Sequence, residues 1–134
     1  KPWRVTRAIV HDRRTNPFVS TRALASLIER VDGWRVKGHH PATRYFQALR
    51  MYVNDEVGEL ETALPKVMDG LSLNGRLAVL TFHSIEDRIV KNLFRNSQIG
   101  KPVNKKVVQA SSLEIEQNPR SRSAKLRVFE RGGL

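Results

Sequence analysis

The stretch Arg76-Leu77-Ala78-Val79-Leu80-Thr81-Phe82-His83-Ser84-Ile85-Glu86-Asp87-Arg88-Ile89-Val90-Lys91 decides the fold class. Its first part, Arg76 to Phe82, is β-prone and almost continuously apolar, without the alternation of a half-exposed strand. It predicts a strand buried on both faces of a parallel sheet, with helices on both sides. Ser84, followed three residues later by Asp87, reads as a capping box that opens a helix with Ile85, Ile89, Val90, Leu93 and Phe94 inward. Glu86 would then point to solvent. Upstream, Asn74-Gly75 is a turn signal. Before it, Phe46, Leu49, Val53, Val57, Leu60 and Leu64 are spaced 3, 4, 4, 3 and 4 apart, one continuous apolar stripe on a long helix that starts at Pro41. Pro65 is expected to kink or restart that helix. Residues 3–14 read as a short helix, and Ser20 or Thr21 caps another in which Leu24, Leu27, Ile28 and Val31 share a face. Downstream, Lys106 to Ala110 reads as a short strand, and Ser111 with Glu114 as one helical turn that Asn118-Pro119 ends. Ala124 to Arg131 alternates as a strand whose Lys125, Arg127, Phe129 side is wet. The whole is α/β.

Composition narrows the function. The 134 residues carry a net charge of +11, with 40% hydrophobic and 28% charged residues, which fits one soluble globular domain or a piece of one. Residues 1–39 hold 9 Lys/Arg against 3 acids, residues 40–90 hold 5 against 7, and residues 91–134 hold 10 against 3. Two basic arms flanking an acidic middle point to a polyanion. Nucleic acid is favoured over a membrane surface because no segment joins a basic face to a broad apolar one. The longest apolar run, Leu77 to Phe82, is far short of a membrane span. With no cysteine, a disulfide framework, a thiolate zinc site and a cysteine nucleophile are excluded. A helix-turn-helix reading of Ser20 to Val31 fails because the next helix starts too far away.

Three stretches are more specific: His40-Pro41-Ala42-Thr43-Arg44-Tyr45-Phe46-Gln47-Ala48-Leu49-Arg50, the stretch quoted first, and Asn118-Pro119-Arg120-Ser121-Arg122-Ser123-Ala124-Lys125-Leu126-Arg127. In this order they resemble the C-terminal half of the RsmH (MraW) family, S-adenosylmethionine-dependent methyltransferases that modify the exocyclic N4 of a cytidine in small-subunit ribosomal RNA. Residues 40–134 match that half, and residues 1–39 resemble, more weakly, the end of a helical domain inserted into the family's fold. The resemblance implies a class I (Rossmann-like) methyltransferase sheet in which Arg76 to Phe82 is the fifth strand and the C-terminal pair an edge hairpin. It also implies bacterial cytoplasm, or the mitochondrial matrix in a eukaryote. The family's S-adenosylmethionine site lies mainly in the other, N-terminal half. No glycine-rich strand-to-helix loop occurs here; the close pair Gly132-Gly133 falls past the last strand. The chain alone is therefore expected to be inactive, completed by the missing half or by a stabilising protein partner. The alternative is a non-catalytic relative that binds RNA as a small-subunit assembly or structural factor.

Ligands in open α/β sheets bind at the carboxyl ends of strands, where Phe82 and His83 fall. Phe82 is a candidate to stack on a flipped cytosine, and His83 to orient the amine or accept its proton. Ser84 reads as a cap rather than a catalytic group. Arg44, Gln47 and Arg50 form a polar stripe suited to phosphate or base contacts, against the alternative of a solvated face paired with Asp55 or Glu56. Arg120, Arg122, Lys125, Arg127 and Arg131 are the best RNA-binding group, with Lys101, Lys105 and Lys106 a weaker one. His39 and His40 with Asp32 lack the spacing of a helical metal site, so no metal is expected.

Overall fold

The computed structural model describes residues 2–34 and 38–132. They form two compact units, residues 1–54 and 55–134.

The first unit holds α1 (Pro2–Asp12), α2 (Thr21–Asp32) and α3 (Ala42–Val53). Ser20 caps α2 by accepting the Ala23 N–H at 3.2 Å, as its position before an apolar-periodic run predicts. Val5, Leu27, Ile28 and Ala42 form the buried core, with Tyr45 and Phe46 of α3 against it. The sequence resemblance divides at residue 40. The compact units divide at 54/55, and α3 packs Tyr45 and Phe46 on the helices before it.

The continuous helix expected from Pro41 to Leu64 is two helices. Asp55 adopts a left-handed φ of 47°, a conformation Asn and Asp tolerate better than other non-glycine residues. It ends α3, and the second unit begins with α4 (Glu56–Asp69), which carries Pro65 inside it without a restart. Then follow β1 (Arg76–Thr81), α5 (Ser84–Asn96), β2 (Gly100–Pro102), β3 (Val108–Gln109), α6 (Ser112–Gln117), a 3-10 turn (Pro119–Ser123) and β4 (Lys125–Arg131).

The sheet corrects the expectation of a parallel strand buried on both faces. β4 runs antiparallel to β1 on one edge and to β2 and β3 on the other. The C-terminal strand is thus central among the described strands rather than part of an edge hairpin. Alternate residues of β1 differ in exposure: Leu77 and Val79 pack on the core while Ala78 and Leu80 face outward. The register pairs Leu77 with Phe129 and Val79 with Arg127, so Phe129 and Arg127 share the inner face. The side of β4 read as wet is therefore the side covered by α5. Phe129 is fully buried against Phe94, with ring centroids 5.3 Å apart, and Leu64, Met68 and Val90 complete the core. β2 reaches β4 only because residue 100 is glycine: a Cβ there would lie 2.2 Å from the Glu130 carbonyl oxygen. Between β2 and β3, Asn104 bridges the ladder, its Oδ1 accepting the Val128 N–H at 2.9 Å and its Nδ2 donating to the Lys106 carbonyl at 2.7 Å.

No helix among the described residues is long and apolar enough to cross a membrane.

Candidate functional site

β1 ends at the buried Thr81, whose hydroxyl donates to the Lys125 carbonyl at 3.4 Å. The chain then turns into α5 through Phe82 and His83. Phe82 is 52% exposed. His83, in extended conformation, is the N-cap of α5: its Nδ1 accepts the Glu86 N–H at 3.4 Å. Glu86 returns the contact, Oε2 accepting from the Phe82 N–H at 3.1 Å and the His83 N–H at 3.4 Å. This capping box is shifted by one residue from the expected Ser84/Asp87 pair. The three-residue spacing is the same, but the longer glutamate side chain reaches two free N–H groups of the turn. Glu86 is therefore turned inward, against the expectation that it would face solvent.

The shift decides what His83 can do. With Nδ1 committed as an acceptor, the neutral ring carries its proton on Nε2. That nitrogen is buried, 3.0 Å from Glu86 Oε1, and has no partner in hydrogen-bond geometry among the described residues. It is positioned to donate; taking a second proton on Nδ1 would break the cap. Glu56, in the first turn of α4, brings a third group: one ligand atom each of Glu56, His83 and Glu86 lie within 4.8 Å of one another. A cation could be held by this set, with Glu86 offering Oε1 because its Oε2 serves the cap. His39, His40 and Asp32 form no such group: His40 Nδ1 accepts the Ala42 N–H at 3.1 Å, and Asp32 accepts the Tyr45 hydroxyl at 3.1 Å. Beside the end of β1 opens a cleft of about 340 Å³, lined by Glu56, Glu59 and Glu86 together with Leu60, Ala63 and Leu80. Three carboxylates around an apolar wall accept hydrogen-bond donors and repel phosphates.

The basic candidates separate. Arg44 and Arg50 are exposed and Gln47 is half-buried, all on α3 of the first unit. Arg120 and Arg122 project from the 3-10 turn on either side of the buried Ser121, whose hydroxyl donates to the Asn118 carbonyl at 2.8 Å. The other three are used within the fold. Arg127, its side chain 14% exposed, donates two hydrogen bonds to Asp87, at 2.7 and 3.1 Å. Lys125 lies 3.7 Å from the same carboxylate. Arg127's hydrogen bonds, helped by its charge and that of Lys125, hold the Asp87 carboxyl below its ordinary range despite the opposing effect of burial. Arg131 donates to the Asp69 and Leu71 carbonyls, closing the C-terminal end of α4. Sequence reading missed Glu56 and Glu86. The His83-to-Glu86 spacing was the available signal, obscured because histidine is not among the usual caps.

The chain matches the model of the MraW methylase family over residues 2–132. It is 60% identical over 132 residues to a protein of Bdellovibrio bacteriovorus named ribosomal RNA small subunit methyltransferase H, covering 98% of this chain and 40% of that protein. Proteins of the same name from Coprothermobacter proteolyticus and Deinococcus radiodurans are 47% and 48% identical, over 96% of this chain and 44% and 41% of their own lengths. The chain thus spans less than half the length of these relatives. A family match over nearly every residue, on a fold whose strand-to-helix turn carries the His83–Glu86 box, establishes that the chain belongs to the MraW methylase family.

Proposed function

We propose that the protein is an S-adenosylmethionine-dependent methyltransferase acting on the exocyclic N4 amine of a cytidine in small-subunit ribosomal RNA, and that this chain supplies the side facing the target base. The observation that carries the reading is the cluster of Phe82, His83, Glu86 and Glu56 at the carboxyl end of β1 in a member of a methylase family. The N4 amine of cytosine is a hydrogen-bond donor, and carboxylates are its natural acceptors. Glu56 and Glu86 fit that donor. The exposed face of Phe82 offers a stacking surface for an unstacked base. His83, its ring fixed by the cap, acts as a positioning donor, and the carboxylate beside it takes the amine proton.

S-adenosylmethionine, when bound, supplies an electrophilic methyl group. The residues described here do not fit it: the strand-to-helix turns at 82–83 and 110–111 hold no glycine and offer no cradle for a nucleoside. We place its site in the part of the relatives' length that this chain does not span. In the same reading, residues 1–39 end an inserted helical domain and residues 40–134 are the C-terminal half of a Rossmann-like methyltransferase domain in the bacterial cytoplasm. Leu80, 54% exposed on the outer face of β1, and the edge of β1 opposite β4 are where further sheet and helices would pack. Of the RNA-binding group, Arg120 and Arg122 project from the 3-10 turn toward the RNA, and Arg44, Gln47 and Arg50 lie on α3 of the first unit.

The test is transfer of labelled methyl groups from S-adenosylmethionine to small-subunit RNA by the full-length protein, followed by nucleoside analysis. N4-methylcytidine is expected. Label on another nucleoside would overturn the N4 assignment. RNA binding with no transfer would select the non-catalytic assembly-factor reading.

A further inference from the structure

Along the C-terminal half of α5, away from its N-cap at His83, the second unit carries a cleft of different charge. It has a volume of about 280 Å³, near the lower end of ligand-sized sites, about 300 Å³. Its rim is Lys91, Arg95 and Lys105, and its floor is formed by Phe94, Pro102 and Val128. No acidic residue lines it, whereas three glutamates line the cleft at the end of β1. Arg127 also reaches it, but its charge is met by Asp87.

The cations are held in place. Lys91 and Arg95 are four residues apart on α5, hence on one face and about 6 Å apart along the axis. Arg88 is exposed on the same helix one turn earlier. Lys105 sits next to Asn104, which ties the 103–107 loop to β4 by two hydrogen bonds, to the Leu126 carbonyl and from the Val128 N–H, and closes the loop on itself by a third to the Lys106 carbonyl. Lys91, Arg95 and Lys105 form no ion pair among the described residues. Three uncompensated cations around an apolar floor are the makings of a groove for single-stranded nucleic acid, with cations on the backbone and an apolar surface under ribose or base.

We propose that this cleft between α5 and the 103–107 loop seats the phosphodiester backbone of the substrate RNA, as a contact separate from the base site at His83. The proposal rests on the reading of the protein as an RNA methyltransferase. It assigns the anchoring of RNA to Lys91, Arg95 and Lys105 in place of the paired Lys125, Arg127 and Arg131.

The experiment compares the full-length protein with the triple variant Lys91→Gln, Arg95→Gln, Lys105→Gln. Binding to a small-subunit RNA fragment is followed by fluorescence anisotropy from about 50 to 200 mM salt. All three side chains are at the surface, and circular dichroism checks that the fold is kept. At about 0.7 to 0.9 per phosphate, the log–log salt slope should become shallower by about 2 to 3. The charge-preserving variant Lys91→Arg, Arg95→Lys, Lys105→Arg should keep the original slope. A triple-Gln variant with the wild-type slope overturns the proposal, and does so decisively if it has instead lost binding to a purified ribosomal protein. Methyl transfer measured in the same samples separates the two readings. A flattened slope without transfer by the wild type leaves the RNA site standing and removes the catalytic reading; transfer with an unchanged slope does the reverse.

Discussion

Replacing Asp87 with Asn removes the carboxylate that two β4 cations share, and its cost can be worked from the geometry. The Asp87 side chain is 13% exposed and that of Arg127 14%, so the pair is largely out of water. Breaking a fully buried pair by removing one partner costs about 3–5 kcal/mol, and a hydrogen bond to a charged group contributes about 1.5–3 kcal/mol. Asparagine keeps one acceptor oxygen and some solvent reaches the site, so a loss of about 2–3 kcal/mol is expected. Trp3, Trp34, Tyr45 and Tyr52 all lie in the first unit, which makes fluorescence blind to this change. Amide hydrogen exchange of β4 is the suitable assay, and 2–3 kcal/mol corresponds to about 30- to 140-fold faster exchange. The pH dependence has a fixed sign. Asp87's carboxyl is held below its ordinary value of 3.8 in the folded state. Its contribution is therefore complete above that value and is lost as pH falls through the lower, folded one. The gap between wild type and Asp87→Asn should close in acid. In a double-mutant cycle with Arg127→Gln, a coupling of about 2 kcal/mol is expected. Exchange within about threefold of wild type at neutral pH would refute the reasoning.

Gly100→Ala should destabilise the second unit by about 1–3 kcal/mol, because the new methyl must push β2 off the Glu130 carbonyl and the Phe129 ring; denaturant unfolding followed by circular dichroism reads it. Asn104→Ala leaves the Val128 N–H and the Lys106 carbonyl without their partner. It should cost about 1–3 kcal/mol, seen as faster exchange of the Val128 amide with α4 unaffected. Glu86→Ala should lose about 1 kcal/mol of helix capping and methyl transfer together. Glu86→Gln keeps an acceptor for the turn and should retain stability while transfer falls; equal loss of stability in both would remove the charge of Glu86 from the account.

What the sequence made legible follows the range of the forces involved. Local signals read correctly: Ser20 before the α2 run, the turn at Asn74-Gly75, Ser111 with Glu114, and the stop at Asn118-Pro119 all act within a few residues of themselves. The strand at Arg76 to Thr81 was legible from its apolar β-prone run, yet its partners were not. Pairing with β4 joins residues more than 40 positions apart, and nothing in the run itself separates a parallel from an antiparallel neighbour. The alternation at 124–131 gave the right strand with its faces exchanged. Lys125 and Arg127 look solvated beside Leu126 and Val128 until Asp87, far away in sequence, appears beneath them. The same displacement hid the site. Once Asp87 is committed to Arg127, the box falls to His83 and Glu86, so the cap residue and the candidate positioning group are one histidine. The family resemblance carried the methylase assignment further than the periodicities did, because long motifs keep information about contacts that spacing alone does not contain.

The central claim is that the carboxyl end of β1 faces the target base. Its most direct test is the single-turnover rate of methyl transfer to small-subunit RNA by full-length Phe82→Ala at saturating RNA. Phe82 is half exposed and belongs to neither hydrophobic cluster among the described residues, and circular dichroism checks that the variant keeps its fold. Base stacking on an aromatic side chain contributes about 1–3 kcal/mol, so the rate should fall by about 5- to 140-fold. A rate within about twofold of wild type would place the base elsewhere and contradict the account.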